Sequence, residues 1–193
     1  IVHGAGRTPA IDNLDLDKAG IEFGTHGVAV NDYLQSKSNP AVYAAGDAAD
    51  TKGLPLTPVA VFEGKVAASN MIKGNHIKPD YSGVPTVVFT IPELARVGMT
   101  EEEAKAAGYK LRIATNDTSN WYSNLRIGET CAATKVIIDD ETDKILGAHL
   151  LGPEYAEIIN FFSLAIRLQL TASDLKKMVS AYPSVGSDLG SML

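Results

Sequence analysis

Cysteine is almost missing from this sequence: Cys131 is the only one in 193 residues. A single thiol excludes an intrachain disulfide framework and a cysteine-rich metal site. Cys131 is expected to be a small buried hydrophobe in a strand rather than a nucleophile. The four histidines, His3, His26, His76 and His149, show no i,i+4 or other metal-ligand spacing, so no metal site is expected. Positive charge is short as well: Lys and Arg number 17 against 23 Asp and Glu, and the net charge is −6. Nucleic-acid binding needs a basic face to displace counterions, so that class is excluded. No apolar run approaches the ~20 residues that span a bilayer. No signal-peptide pattern stands out. The expectation is a cytoplasmic protein with neither nucleic-acid nor membrane partners. An initial methionine is also lacking. The chain opens on "IVHGAGRTP", which reads as the end of a strand entering a turn, and so as a piece of a larger protein; processing would also remove a methionine.

What is present is ordinary globular composition, with 45% hydrophobic and 21% charged residues. The length allows one large domain or two small ones. Up to about residue 80 the pattern is α/β. "IVHGAG" and "GVAVNDY" read as strands, and "AVYAAG" (41–46) as an apolar run suited to a buried parallel sheet. "TPVAVFEGKVAASNMIKG" reads as a helix with Thr57 as N-cap, Pro58 at the first helical position and Gly74 as the stop. A Pro/Gly-rich break follows at "HIKPDYSGVP". Beyond it, "TVVFT", "YKLRIATN", "ETCAATKVIID" and "KILGAHLLG" read as strands, with "DDETDK" as a hairpin turn between the last two. "MTEEEAKAAG" predicts a helix with a Thr100/Glu103 capping box. The acidic run Glu101 to Glu103 reads as a solvated first turn. "GPEYAEIINFFSLAIRLQL" predicts a strongly apolar helix in which Ile158, Phe162, Ala165 and Leu168 recur near the 3.6 period. A short helix capped at Thr171 and a last turn capped at Ser187 close the chain. Antiparallel strands with segregated helices make this half α+β. Trp121 and Tyr122 read as loop anchors or interface aromatics.

Chemistry concentrates at Gly46-Asp47, where an apolar run ends. In open α/β sheets, ligands bind beyond the carboxyl ends of strands. Gly46 permits close approach of a ligand to the backbone. Ionised Asp47 only accepts hydrogen bonds and suits the hydroxyls of a ribose or ribityl chain. Gly-Asp is also common at plain strand-to-loop turns, and alone the dipeptide favours that reading. A few residues on, "LPLTPVA" starts the first helix. Its free N–H groups and positive dipole end favour an electron-rich oxygen, such as the pyrimidine edge of a reduced flavin.

"GRTP", "VYAAGD", "LTPVAVFEGKVAA" and "PTVVFTIPELARVGMTEEEAKAAG", in that order, resemble the C-terminal part of the flavoprotein pyridine nucleotide-disulfide oxidoreductases. That family includes glutathione reductase, dihydrolipoamide dehydrogenase and mercuric reductase. The resemblance covers essentially the whole chain. It implies an α/β segment at 1–80, the end of an FAD-binding domain, and an α+β dimerisation domain at 81–193, an antiparallel sheet with helices. It implies FAD contacts at Gly46, Asp47, Pro55, Leu56, Thr57 and Pro58, and a place for Gly6 near the nicotinamide of NAD(P)H. The implied partners are a second copy of the chain and a small-molecule disulfide or other electron acceptor. The family's N-terminal glycine fingerprint, its redox cysteine pair and its nicotinamide-nucleotide domain are all missing from this sequence, and Cys131 matches neither redox cysteine. The chain alone is therefore expected to be inactive as a disulfide reductase.

The tail "AYPSVGSDL" (181–189) resembles the family's His-Pro tail, which enters the partner's active site. Here Tyr182 stands at the histidine position and Ser187 at that of the following glutamate, with Asp188 beside it. A phenol ionising near ~10 is a poor proton relay at neutrality, whereas an imidazole near ~6.5 is well placed. Tyr182 could still donate a hydrogen bond to a thiolate or a substrate oxygen. Mercuric reductases share a tyrosine there but carry extra C-terminal cysteines that this chain lacks. Two other readings stand beside the reductase: a stand-alone dimerisation or interaction module, and a flavoprotein reducing a quinone, a metal ion or oxygen.

Overall fold

The computed structural model describes residues 1–2, 4 and 6–193. The chain divides into two compact units, Ile1–Tyr81 and Ser82–Leu193.

In the first unit, β1 (Phe23–Gly24) and β2 (Gly27–Ala29) pair antiparallel across a tight turn, and β3 (Ala49–Asp50) joins β2 in parallel. The strand predicted to run on to Tyr33 ends at Ala29 because Asn31 folds the chain. Its side-chain oxygen accepts from the backbone N–H of Tyr33 (2.9 Å) and of Gln35 (3.2 Å), an alternative to ladder bonding typical of Asn. The run 41–46 is not the predicted buried strand. It lies beside residues 34–36, where the Val42 carbonyl accepts from Ser36 N–H (2.8 Å) and Ala44 N–H donates to the Leu34 carbonyl (3.0 Å), with a single bridge between Gln35 and Tyr43. Its apolarity is used in packing: Val42, Tyr43, Ala44 and Ala45 lie against a small core of Ile11, Leu16, Ile21, Val28, Val30 and Leu34. Ile1, Val2, Gly4 and Gly6 form no strand, and His3 and Ala5, which the strand reading also takes in, lie outside the described residues.

Helix α1 (Thr57–Lys73) has Leu56, not Thr57, as its N-cap. Leu56 is extended and its carbonyl accepts the first helical bond, from Ala60 (2.9 Å). Thr57 is thus the first helical residue and Pro58 the second rather than the first, and Gly74 closes the helix as predicted. The buried face of α1 carries Val59, Glu63, Val66, Ala67 and Asn70.

The second unit is built on β4 (Thr86–Val88), β5 (Glu93–Gly98), β6 (Leu111–Asp117), β7 (Ala133–Asp139) and β8 (Ile145–Gly152), in spatial order β4-β5-β8-β7-β6 and antiparallel throughout. Strand β5 is the one the sequence reading passes over. The registers align Val97, Ala148, Val136 and Ala114 in one row across four strands, on the face that packs with α4 (Tyr155–Arg167). Ile158, Ile159, Phe162 and Ala165 of α4 are buried in this core. Burying each large side chain contributes roughly 1.5–3 kcal/mol. Leu168, in the same predicted period, is exposed, because α4 ends at Arg167 and Leu168 is its C-cap.

The predicted capping box at Thr100/Glu103 forms, and the predicted cap at Thr171 proves to be a second box. In α2 (Glu101–Ala106), the Thr100 hydroxyl accepts from Glu103 N–H and the Glu103 carboxylate from Thr100 N–H. In α5 (Ala172–Lys176), Thr171 and Asp174 do the same. A short helix, α3 (Tyr122–Leu125), lies between β6 and β7. The closing turn Val185–Met192 is 3-10 and is entered through Ser184 rather than Ser187. Cys131 is exposed and two residues short of β7, not buried within it. Its N–H and that of Thr130 both donate to the Glu129 carboxylate (2.7 and 2.8 Å), which keeps this stretch out of the ladder. Among the described residues no helix is long and apolar enough to cross a membrane.

Candidate functional site

A cleft of about 830 Å³ opens in the first unit. Gly6, Gly46, Asp47 and Pro55 line it together, with Arg7, His26, Thr51 and Glu63. Leu56, Thr57 and Pro58 are not among the lining residues; they form the entry to α1 just beyond Pro55. Gly46 turns the chain at the end of the 41–45 run with φ of 67°, in the left-handed region, and opens a 3-10 turn Gly46–Ala48 that carries Asp47. The Asp47 carboxylate meets Arg7 at 3.2 Å. Side-chain exposures of 80% for Arg7 and 49% for Asp47 make this a surface pair of little energetic weight. A hydroxylated ligand can therefore displace Arg7 at small cost.

Glu63 is the site residue that sequence reasoning missed. It is 1% exposed, and its carboxylate accepts three hydrogen bonds: from Gly46 N–H (2.6 Å), from the Thr51 hydroxyl (2.8 Å) and from the Tyr81 hydroxyl (2.6 Å). Burial, and the bond to Glu63, push the Tyr81 phenol well above its ordinary pKa. The signal was in the pattern: an acidic residue at a core position of α1, four after Val59 and three before Val66. The sequence carries no comparable signal for Arg7 or His26.

Tyr182 belongs to the second unit. It is 76% exposed and stacks on Tyr122, with ring centroids 6.3 Å apart and planes 26° apart. The tail behind it is anchored: Val185, Leu189 and Met192 are buried in the second core, and Ser123 donates to the Asp188 carboxylate. The Ser187 hydroxyl donates to the Ser184 carbonyl (2.5 Å). Among the described residues no group of three or more His, Cys, Asp or Glu side chains could hold a metal ion.

Comparison with known proteins bears on both units. A family model described as pyridine nucleotide-disulphide oxidoreductase, dimerisation domain, matches residues 84–192. A second, described as pyridine nucleotide-disulphide oxidoreductase, matches residues 1–64. The chain is 51% identical over 180 residues to an "uncharacterized 19.7 kDa protein in mercuric resistance operon" of Staphylococcus aureus, covering 93% of this chain and 100% of that one. It is 37% identical over 185 residues to a mercuric reductase of Lysinibacillus sphaericus, covering 95% of this chain and 33% of the relative. With a dihydrolipoyl dehydrogenase of Bacillus subtilis it shares 36% identity over 181 residues, or 94% of this chain and 38% of the relative. The chain thus spans 33% and 38% of the length of these two enzymes. A solved structure of the HOCl-induced flavoprotein disulfide reductase RclA from Escherichia coli superposes with a TM-score of 0.86 at 28% identity, over 97% of this chain and 43% of that one.

Proposed function

The chain belongs to the pyridine nucleotide-disulphide oxidoreductase family, and on that footing we propose that it is the dimer-forming part of an FAD- and NAD(P)H-dependent reductase, contributing one wall of the flavin cleft without completing a catalytic centre. On this reading residues 1–80 are the end of the FAD-binding domain and 81–193 the dimerisation domain. One observation carries it. The stretch matching the dimerisation-domain family leaves Phe161, Leu164 and Leu168 exposed at 38%, 53% and 58%. Phe161 and Leu164 on α4 and Leu168 at its C-cap make an apolar stripe that the core of this unit leaves exposed, the kind of surface that a second copy covers.

The residues of the cleft fit the hydroxylated part of a flavin nucleotide: a side-chain-free turn at Gly46 and an acceptor at Asp47, in a cleft of about 830 Å³. Asp47 would accept from ribityl hydroxyls, Gly46 would let the ligand approach the backbone, and the start of α1 beyond Pro55 would offer N–H groups to an electron-rich edge. Gly6 would lie towards the nicotinamide. FAD, when bound, supplies the relay of electrons from NAD(P)H to a cysteine pair, and that pair lies outside a sequence whose sole thiol is Cys131. Tyr182 would help shape the acceptor site across the dimer, as a hydrogen-bond donor. The acceptor is a disulfide or, in view of the relatives tied to mercury by name, a mercuric ion as substrate.

The test is turnover. The 193-residue chain supplied with FAD, NADPH and either glutathione disulfide or mercuric ion is expected to consume no NADPH above a free-flavin control. Chain-dependent turnover would overturn the reading that this chain does not complete a catalytic centre. The full coverage of the 19.7 kDa Staphylococcus protein favours a second reading, a dimerising module acting without catalysis. A gene whose reading frame continues upstream through a cysteine pair decides against it.

A further inference from the structure

Glu63 has no place in the cofactor reading, yet it bonds two other residues that line the cleft, Gly46 and Thr51. A buried carboxylate is costly unless its oxygens are fully bonded. Here the bonds come from three separate segments: Gly46 at the turn before Asp47, Thr51 in the loop after β3, and Tyr81 at the end of the unit. The loop closes tightly over the carboxylate. A Cβ on Gly53 would lie 2.6 Å from the nearer Glu63 oxygen and 2.8 Å from the Tyr81 ring, so only glycine fits there without a shift. A second cleft of about 720 Å³, lined by Tyr33, Lys52, Lys78 and Tyr81 among others, shares Asp50 and Thr51 with the first. Gly46 and Glu63 line only the first cleft, Tyr81 only the second, and Thr51 both. The carboxylate thus belongs to the wall that the two clefts share.

We infer that Glu63 is a positioning residue: its carboxylate holds the Gly46–Asp47 turn in the shape that presents Asp47 to the first cleft, and Tyr81 anchors that carboxylate from the second. This deepens the cofactor reading and rests on it only for the identity of the ligand that Asp47 meets. The chemistry of the three donors makes the role testable. Gly46 N–H can only donate, whereas the Thr51 and Tyr81 hydroxyls can donate or accept. A glutamine at 63 keeps an oxygen for Gly46, and its NH₂ can donate to both hydroxyls once they turn. Alanine leaves the half-buried Gly46 N–H without its carboxylate partner, a loss of about 1–3 kcal/mol, or roughly 5- to 150-fold in local opening.

Hydrogen exchange on the full chain reads this directly, with no ligand needed. Glu63→Ala is expected to speed exchange of the amides at 44–51 about 10- to 100-fold while leaving those of the second unit unchanged. Glu63→Gln is expected to restore protection to within about threefold of the unmodified chain. Tyr81→Phe, which removes one donor without opening a cavity, is expected to raise exchange at 44–51 measurably. Unchanged exchange at 44–51 in both Glu63→Ala and Tyr81→Phe overturns the inference. So does a glutamine variant as unprotected as alanine. Should Glu63→Ala unfold the whole unit, the glutamine and phenylalanine variants decide. A parallel FAD titration separates the two readings: if the unmodified chain takes up no FAD, the cofactor reading for this chain alone fails, and the exchange result still stands on its own.

Discussion

Two glycine-to-alanine changes in the same unit are expected to act in opposite directions. At Gly46, φ is 67° and an added Cβ would lie 2.8 Å from the Ala60 Cβ, on a helix that cannot easily give way. The left-handed backbone costs an L-residue about 1–2 kcal/mol, and forcing a methyl into a packed contact costs about 1–3 kcal/mol more. Gly46→Ala should therefore destabilise the first unit by roughly 2–5 kcal/mol, a large share of the ~5–15 kcal/mol that holds a domain together. Gly64 lies in the middle of α1, and a Cβ built there meets nothing within 4 Å. Gly64→Ala should stabilise the same unit by about 0.5–1 kcal/mol, because glycine is a poor helix interior residue. Urea unfolding followed by circular dichroism at the helix band reads α1 together with the helices of the second unit, so the α1 transition is the part of that change not shared with tryptophan fluorescence. The fluorescence of Trp121, the sole tryptophan, follows the second unit, against whose core it packs. At an m-value of ~1.5 kcal/mol/M, the Gly46 variant should lose about 1–3 M in the midpoint of the α1 transition and the Gly64 variant should gain about 0.5 M. The reasoning is refuted if the two variants shift that transition in the same direction, or if Gly46→Ala leaves it in place.

Other outcomes follow from the second unit. Phe162 is fully buried between α4 and the sheet, so Phe162→Ala should cost about 3–5 kcal/mol and lower the urea midpoint read by Trp121; a loss below ~1 kcal/mol would mean that this core is not packed as described. Acid should weaken this unit in a defined window. Lys177, together with the Thr171 hydroxyl and amide, holds the Asp174 carboxyl down to about 2 from 3.8. Lys105 and Lys135 hold the Glu101 carboxyl down to about 2 from 4.5. Both folded values lie below the unfolded ones, so their stabilisation is complete above about pH 4.5 and is lost as pH falls towards about 2. Urea midpoints measured from pH 6 downwards should fall through that window, and less steeply in a Glu101→Gln/Asp174→Asn variant; equal slopes would count against these pairs.

Local chemistry was the legible part of the sequence. The box at Thr100/Glu103, the cap at Thr171, the hairpin at 139–144 and the apolar period of α4 depend on neighbours a few residues apart, which a single sequence displays. Errors arose where a distant partner decides. The run 41–46 has the composition of a strand, but its strand-like pairing is one isolated bridge to residues 34–36, and the rest of its apolar surface goes into packing. Strand β5 escaped because only Ala95 and Val97 of its six residues are buried. Thr57 and Ser187 are good capping types displaced by one and three residues, because Leu56 and Ser184 hold the extended backbone that a cap requires. At the candidate site, Gly6, Gly46, Asp47 and Pro55 do share one cleft. The carboxylate that organises it was hidden because Glu63 looks like any surface glutamate until its three donors, from 12 to 18 residues away, are in place.

The central claim is that this chain pairs with a copy of itself through its second unit, and its mass in solution tests that most directly. Size-exclusion chromatography with light scattering should give close to twice the 20.5 kDa of one chain. Leu164→Asp, which places a charge in the exposed apolar stripe of α4, should bring the mass down to that of one chain while Trp121 fluorescence keeps its native form. A single-chain mass for the unmodified protein, or a dimer that Leu164→Asp leaves intact, would contradict the account.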